Sequence, residues 1–273
     1  MNNLPFETYL YFFSILFILN TGFLFFAGRL TEKNKLPLLQ AGILLAFILS
    51  LFSLFFTFRY HFEQYSERMN QFYLPTFFAV IFCIIILGIG GYITDRKSNW
   101  SLYNGLLLLP LSLILVYGGI DLVRIRIIFW VLENPGPVIT SLILFFWLFL
   151  VIGFFEILSS SDWLFIIALI FYNSTLKVLF YYMDFPPVLL NDFMLMFGLI
   201  LLASKVFNPA MKAGSTLSLP LGLIQALIPV ITRLKRFTFI TFISPFFLVT
   251  MIIIIIFINF FWRSILFRGP QKV

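Results

Sequence analysis

The chain has 273 residues, of which 62% are hydrophobic and only 11% charged, and its formal net charge is +7. A soluble domain of this length has no means of covering so much apolar surface, which excludes a water-soluble globular protein. Strand-length alternating segments are absent, which excludes an outer-membrane barrel, and the basic excess is read as flanking membrane segments and facing lipid headgroups, so no nucleic-acid partner is expected.

Apolar runs that reach the length of a bilayer crossing, about 20 residues, recur along the chain. They predict spans at 9–26, 36–58, 74–93, 102–120, 138–157, 163–182, 188–203, 217–231 and 237–261. The expected fold class is therefore all-α: a polytopic integral membrane helical bundle of about nine to ten transmembrane helices, forming a single domain over 1–273. Met1-Asn2-Asn3 lacks a basic n-region, so the first run is read as a retained anchor. The stretch Ile125–Val131 is too short to cross. With Pro135-Gly136-Pro137 behind it, it reads as an interfacial turn or hairpin. The last run is long enough to tilt, or to break near Pro245. Cys83 is the one cysteine and lies in an apolar run, which excludes an intrachain disulfide; His61, the single histidine, falls in a polar loop.

Alternating the spans divides the basic residues ten against eight. The richer side holds Arg96, Lys97, Lys205 and Lys212, and the other holds Arg124, Arg126 and Lys177. The positive-inside bias favours an outside N terminus and a cytoplasmic C terminus in the plasma (inner) membrane.

Three polar blocks interrupt the apolar pattern on the richer side. Gly91-Tyr92-Ile93-Thr94-Asp95 closes the third span. Its carboxylate suits Mg²⁺, which prefers hard oxygen ligands, and it equally suits capping a helix end beside Arg96 and Lys97. In the block from Gly153 to Trp163, Glu156, Ser159 and Asp162 recur every third residue, on one helical face at the membrane edge. Ser161-Asp162 is also an ordinary N-cap for the next helix. In the third block, Phe207-Asn208-Pro209-Ala210-Met211-Lys212-Ala213-Gly214-Ser215-Thr216, Asn208-Pro209 ends a helix. Gly214, Ser215 and Thr216 then either present backbone N–H groups to a phosphate or cap the helix they begin. Nucleophile-elbow, P-loop, zinc-helix and haem signatures are absent.

These blocks, from about Gly90 to Gly269, resemble the integral-membrane transferases that move an N-acetylhexosamine 1-phosphate from a UDP-sugar onto polyprenyl phosphate. That family carries two adjacent aspartates at Thr94 and Asp95, a lysine at Asn104, two asparagines and an aspartate at Glu156, Ser159 and Asp162, and a further aspartate at Phe165. It places a metal-binding aspartate at Ser215, after the glycine at Gly214. Its basic, histidine-containing loop has no counterpart before Val273.

The resemblance implies Mg²⁺ or Mn²⁺ as cofactor, held by Asp95 and Asp162, with Glu156 as a further catalytic group. It implies substrate contacts at Asn208, Gly214, Ser215, Thr216 and Ser159, and polyprenyl phosphate and a UDP-sugar as partners. Homodimerisation stays open. The substitutions at Thr94, Asn104, Phe165 and Ser215 lead to the expectation of a divergent transferase with impaired or altered catalysis. The alternatives are a non-catalytic lipid-phosphate-binding or scaffolding membrane protein and, third, a transporter.

Overall fold

The computed structural model describes residues 40, 42–52, 55, 74–96, 101–120, 124–127, 130–133, 135–182, 189–207 and 212–231. Within them the chain is helical apart from one small hairpin. The elements in order are α1 (Gly42–Phe52), α2 (Leu74–Arg96), α3 (Ser101–Tyr117), β1 (Arg124–Ile127), β2 (Trp130–Glu133), α4 (Pro137–Leu158), α5 (Asp162–Tyr182), α6 (Leu189–Phe207) and α7 (Gly214–Ile231). The spans expected at 9–26 and 237–261 lie outside the described residues. The others fall on α1 to α7, mostly with ends shifted by a few residues.

Among the described residues, three helical stretches are long and apolar enough to cross a membrane: Pro75–Arg96, Pro137–Leu158 and Leu190–Phe207. The shorter apolar helices are Gly42–Phe52, Gly105–Tyr117 and Gly214–Val230. The outward faces agree with a lipid environment. Phe78, Phe82, Ile85 and Ile89 of α2 are each 42% exposed or more, and their spacing makes one stripe along the helix. Val138, Leu142, Phe146 and Phe149 do the same on α4. Apolar stripes of this extent are not left in water by a soluble monomer.

The short stretch after α3 is a hairpin. Its strands are antiparallel, with Arg124 opposite Glu133 and Ile127 opposite Trp130. Pro137 then starts α4 at a position where its missing N–H costs nothing.

α7 is the axis of the bundle. Every residue from 216 to 230 is buried, and the helix packs against both α2 and α4. A helix apolar on all sides belongs in the interior. α5 and α6 form a second packed pair, and α3 packs against α4. Where apolar burial alone gives little preference between lipid and protein, small polar contacts fix the helices to one another. The Ser112 and Ser141 hydroxyls meet at 2.9 Å between α3 and α4. Thr76 on α2 donates to the Gly118 carbonyl beyond α3 at 2.6 Å. Asn191 Nδ2 on α6 donates to the Asn173 carbonyl on α5 at 3.0 Å.

The α5–α6 pair is pinned at both ends by ion pairs of the same sense. Asp162 opens α5 and meets Lys205 in the last turn of α6. Asp192 in the first turn of α6 meets Lys177 towards the end of α5. Each carboxylate therefore sits at the positive end of its own helix dipole. The two pairs are about 22 Å apart along α5 from the helical rise per residue. Asn173, midway along α5, is fully buried between them.

Candidate functional site

The three polar blocks converge at the N-terminus of α7. That end holds four helix termini: the close of α2, the start of α5, the close of α6 and the start of α7 itself. The first backbone N–H groups of any helix lack partners within it. Here they are met from other helices. Asp95 Oδ1 accepts from the Ser215 N–H at 2.7 Å. Its Oδ2 accepts from the Thr216 N–H at 2.9 Å and from the Thr216 hydroxyl at 2.6 Å. Asp95 is thus an N-cap supplied from 120 residues away, its charge set against the positive end of the α7 dipole.

Asp162 grips the same loop two residues earlier. Its Oδ1 accepts from the Ala213 N–H at 2.7 Å, and its Oδ2 accepts from the Lys205 ammonium at 2.9 Å. Lys205, expected to face headgroups, is buried: its side chain is 7% exposed and that of Asp162 is 19%. Gln40, ahead of α1, completes the hold by donating from Nε2 to the Lys212 carbonyl at 3.1 Å.

Two glycines let the parts come this close. At Gly91 of α2 an added Cβ would run into the Ser215 carbonyl and would stand 2.7 Å from the Thr216 Cα, so only glycine allows α2 and the α7 start to touch by backbone. Gly214 has φ +57°, the left-handed region that glycine enters without penalty. A Cβ there would also stand 2.5 Å from Gln40 Nε2 and 2.7 Å from Asp95 Oδ2.

The structure brings Asp95, Asp162, Gly214, Ser215 and Thr216 together. Asn208 lies outside the described residues. Glu156 and Ser159 fall in and just beyond the last turn of α4, where the Ser159 hydroxyl donates to the Glu156 carbonyl at 2.6 Å and closes its own helix. Thr94, where the transferases carry the first aspartate, donates back to the Gly90 carbonyl at 2.9 Å. Phe165, where they carry another, is fully buried and packs edge-on to Phe155. Arg96 lies over the Tyr92 ring at 4.7 Å. Lys205 and Gln40 are the participants that sequence reasoning missed. The complementary placing of Asp and Lys near opposite ends of two consecutive spans was the available signal for Lys205.

Mg²⁺ is held by hard oxygen ligands, and a positive charge already seated against a carboxylate repels it. All four carboxylate oxygens of Asp95 and Asp162 already accept hydrogen bonds from protein donors. The Lys205 ammonium balances one charge and the α7 N-terminus the other. As arranged, this donor set does not fit a Mg²⁺ ion. Among the described residues, no group of three or more His, Cys, Asp or Glu side chains is placed to hold a metal. The Ser215 and Thr216 N–H groups, which would offer an anion site, are turned onto Asp95.

No protein-family model matches the chain, and no curated protein matches it.

Proposed function

We propose that this chain is a membrane-embedded protein built on the plan of the polyprenyl-phosphate sugar-1-phosphate transferases, in which the catalytic corner has become a structural latch. In this reading it spans the plasma membrane nine to ten times, with its N terminus outside and its C terminus in the cytoplasm. It does not transfer sugar phosphate by metal catalysis. It binds polyprenyl phosphate or a related lipid, or scaffolds an envelope-glycan assembly.

The observation that carries the reading is the engagement of both candidate carboxylates by protein donors. A catalytic Mg²⁺ would neutralise the pyrophosphate and the departing UMP. Here the two groups that resemblance assigns to it join α2, α5 and α6 to the start of α7. A shared plan does not fix chemistry, so the function is argued from the site. The transporter alternative calls for charged groups at mid-membrane on broken helices. The described ion pairs lie instead near helix ends, which favours the binding or scaffolding role.

The test is transfer of labelled N-acetylhexosamine 1-phosphate from its UDP-sugar to undecaprenyl phosphate by the purified protein, with and without Mg²⁺ or Mn²⁺. The expected result is no metal-dependent product from protein that still binds undecaprenyl phosphate. Metal-dependent product that disappears in Asp162→Asn would overturn the reading and restore Asp162 as a ligand.

A further inference from the structure

α7 carries Pro229 near its end. Proline has no N–H, so the carbonyl four residues earlier, that of Gln225, receives no donor from that position of the helix. Inside a bilayer such a carbonyl must be met by a neighbouring side chain or by water. The Tyr172 hydroxyl on α5 reaches it at 3.4 Å, which is long beside the ~2.7–2.8 Å usual for an O–H···O bond. One residue further on, Trp147 Nε1 on α4 donates to the Ala226 carbonyl at an ordinary 2.8 Å.

The Gln225 side chain adds a second, independent observation. It is 0% exposed, and neither Nε2 nor Oε1 has a hydrogen-bond partner among the described residues. A primary amide brings two donors and an acceptor, and leaving all of them unmet in an apolar interior carries a heavy desolvation penalty. Native interiors meet such groups with ordered water, which makes two to four hydrogen bonds.

We propose that Gln225 anchors an internal water site at the Pro229 break in α7. The occupant must be small, must be uncharged so deep in the bundle, and must donate and accept at once. Water has this chemistry. It accepts from Gln225 Nε2 and donates to Oε1 or to the carbonyl that Pro229 leaves short, with the Tyr172 hydroxyl alongside. The site keeps the interrupted end of the central helix hydrogen-bonded. It is independent of the latch at the other end of α7.

The test is water-edited solid-state NMR of the full chain in lipid bilayers, with ¹⁵N in the glutamine side chains. Gln225→Leu identifies the Gln225 amide by the signal that vanishes, and Gln225→Met serves if the leucine variant fails to fold. The expected result is magnetisation transfer from water to that signal, with slower hydrogen–deuterium exchange than the other glutamines show. A Gln225 signal that receives nothing from water overturns the proposal.

Discussion

Lys205 donates to Asp162 across 2.9 Å, from the last turn of α6 to the first residue of α5, with its side chain only 7% exposed. The same carboxylate holds the Ala213 N–H ahead of α7. One residue therefore ties three helices, and its contribution is open to direct measurement.

Removing one partner of a largely buried pair leaves the other charge unmet. Lys205→Met is expected to cost towards the lower end of about 3–5 kcal/mol, because Asp162 keeps some contact with solvent. Asp162→Asn keeps an oxygen for Ala213 but leaves the more deeply buried Lys205 ammonium without its carboxylate, so its cost should be at least as large. Combined, the two changes should cost clearly less than their sum. A double-mutant cycle by reversible unfolding in detergent or bicelles measures that coupling.

The pair at the other end of the α5–α6 hairpin is the internal control. Lys177 and Asp192 also meet at 2.9 Å, but the Lys177 side chain is 57% exposed. Exposed pairs contribute about 0–1 kcal/mol. Lys177→Met should therefore shift unfolding far less than Lys205→Met in the same assay.

Asp95 caps α7 with three hydrogen bonds. Asp95→Ala is expected to cost roughly 1–2 kcal/mol, the upper range for loss of an N-cap. Thr216→Val removes the hydroxyl bond alone and should cost about 1 kcal/mol. Hydrogen exchange at Ser215 and Thr216 should accelerate in Asp95→Ala while exchange at the far end of α7 stays unchanged.

Gly91 and Gly214 test the close approach by adding one methyl group each. Gly214→Ala forces a side chain into the left-handed region, at a cost of about 1–2 kcal/mol before crowding. Gly91→Ala pushes α2 off the Ser215 backbone, which has no way to yield without moving α7. Both should lower the unfolding midpoint, and serine at Gly91 should not rescue it. Gly136, where an added Cβ meets nothing within 4 Å, should accept alanine with little change.

The helices were legible because span length and apolar runs are local signals: 138–157 was expected, and α4 runs over Pro137–Leu158. The hairpin after α3 was legible from its shortness and the Pro-Gly-Pro behind it. Gly214, Ser215 and Thr216 do begin α7, but the cap comes from Asp95 on another helix, and no local pattern at Gly214 encodes a distant carboxylate. A basic residue near a span end normally faces the headgroups, which is what the sequence alone implies for Lys205. Its partner lies 43 residues away, so its burial emerges only when α5 and α6 pack. The resemblance marked Asp95, Asp162 and the Gly214 loop as belonging together, and the fold brings them together. It gave no sign that these groups would bind one another.

Binding of Mn²⁺ tests the latch most directly. Electron paramagnetic resonance follows free Mn²⁺ as it is titrated into purified protein and into Asp162→Asn. The account predicts no stoichiometric binding to either, because the Lys205 ammonium and the α7 backbone already hold the carboxylates. One Mn²⁺ bound per chain in the wild type, and lost in Asp162→Asn, would contradict it.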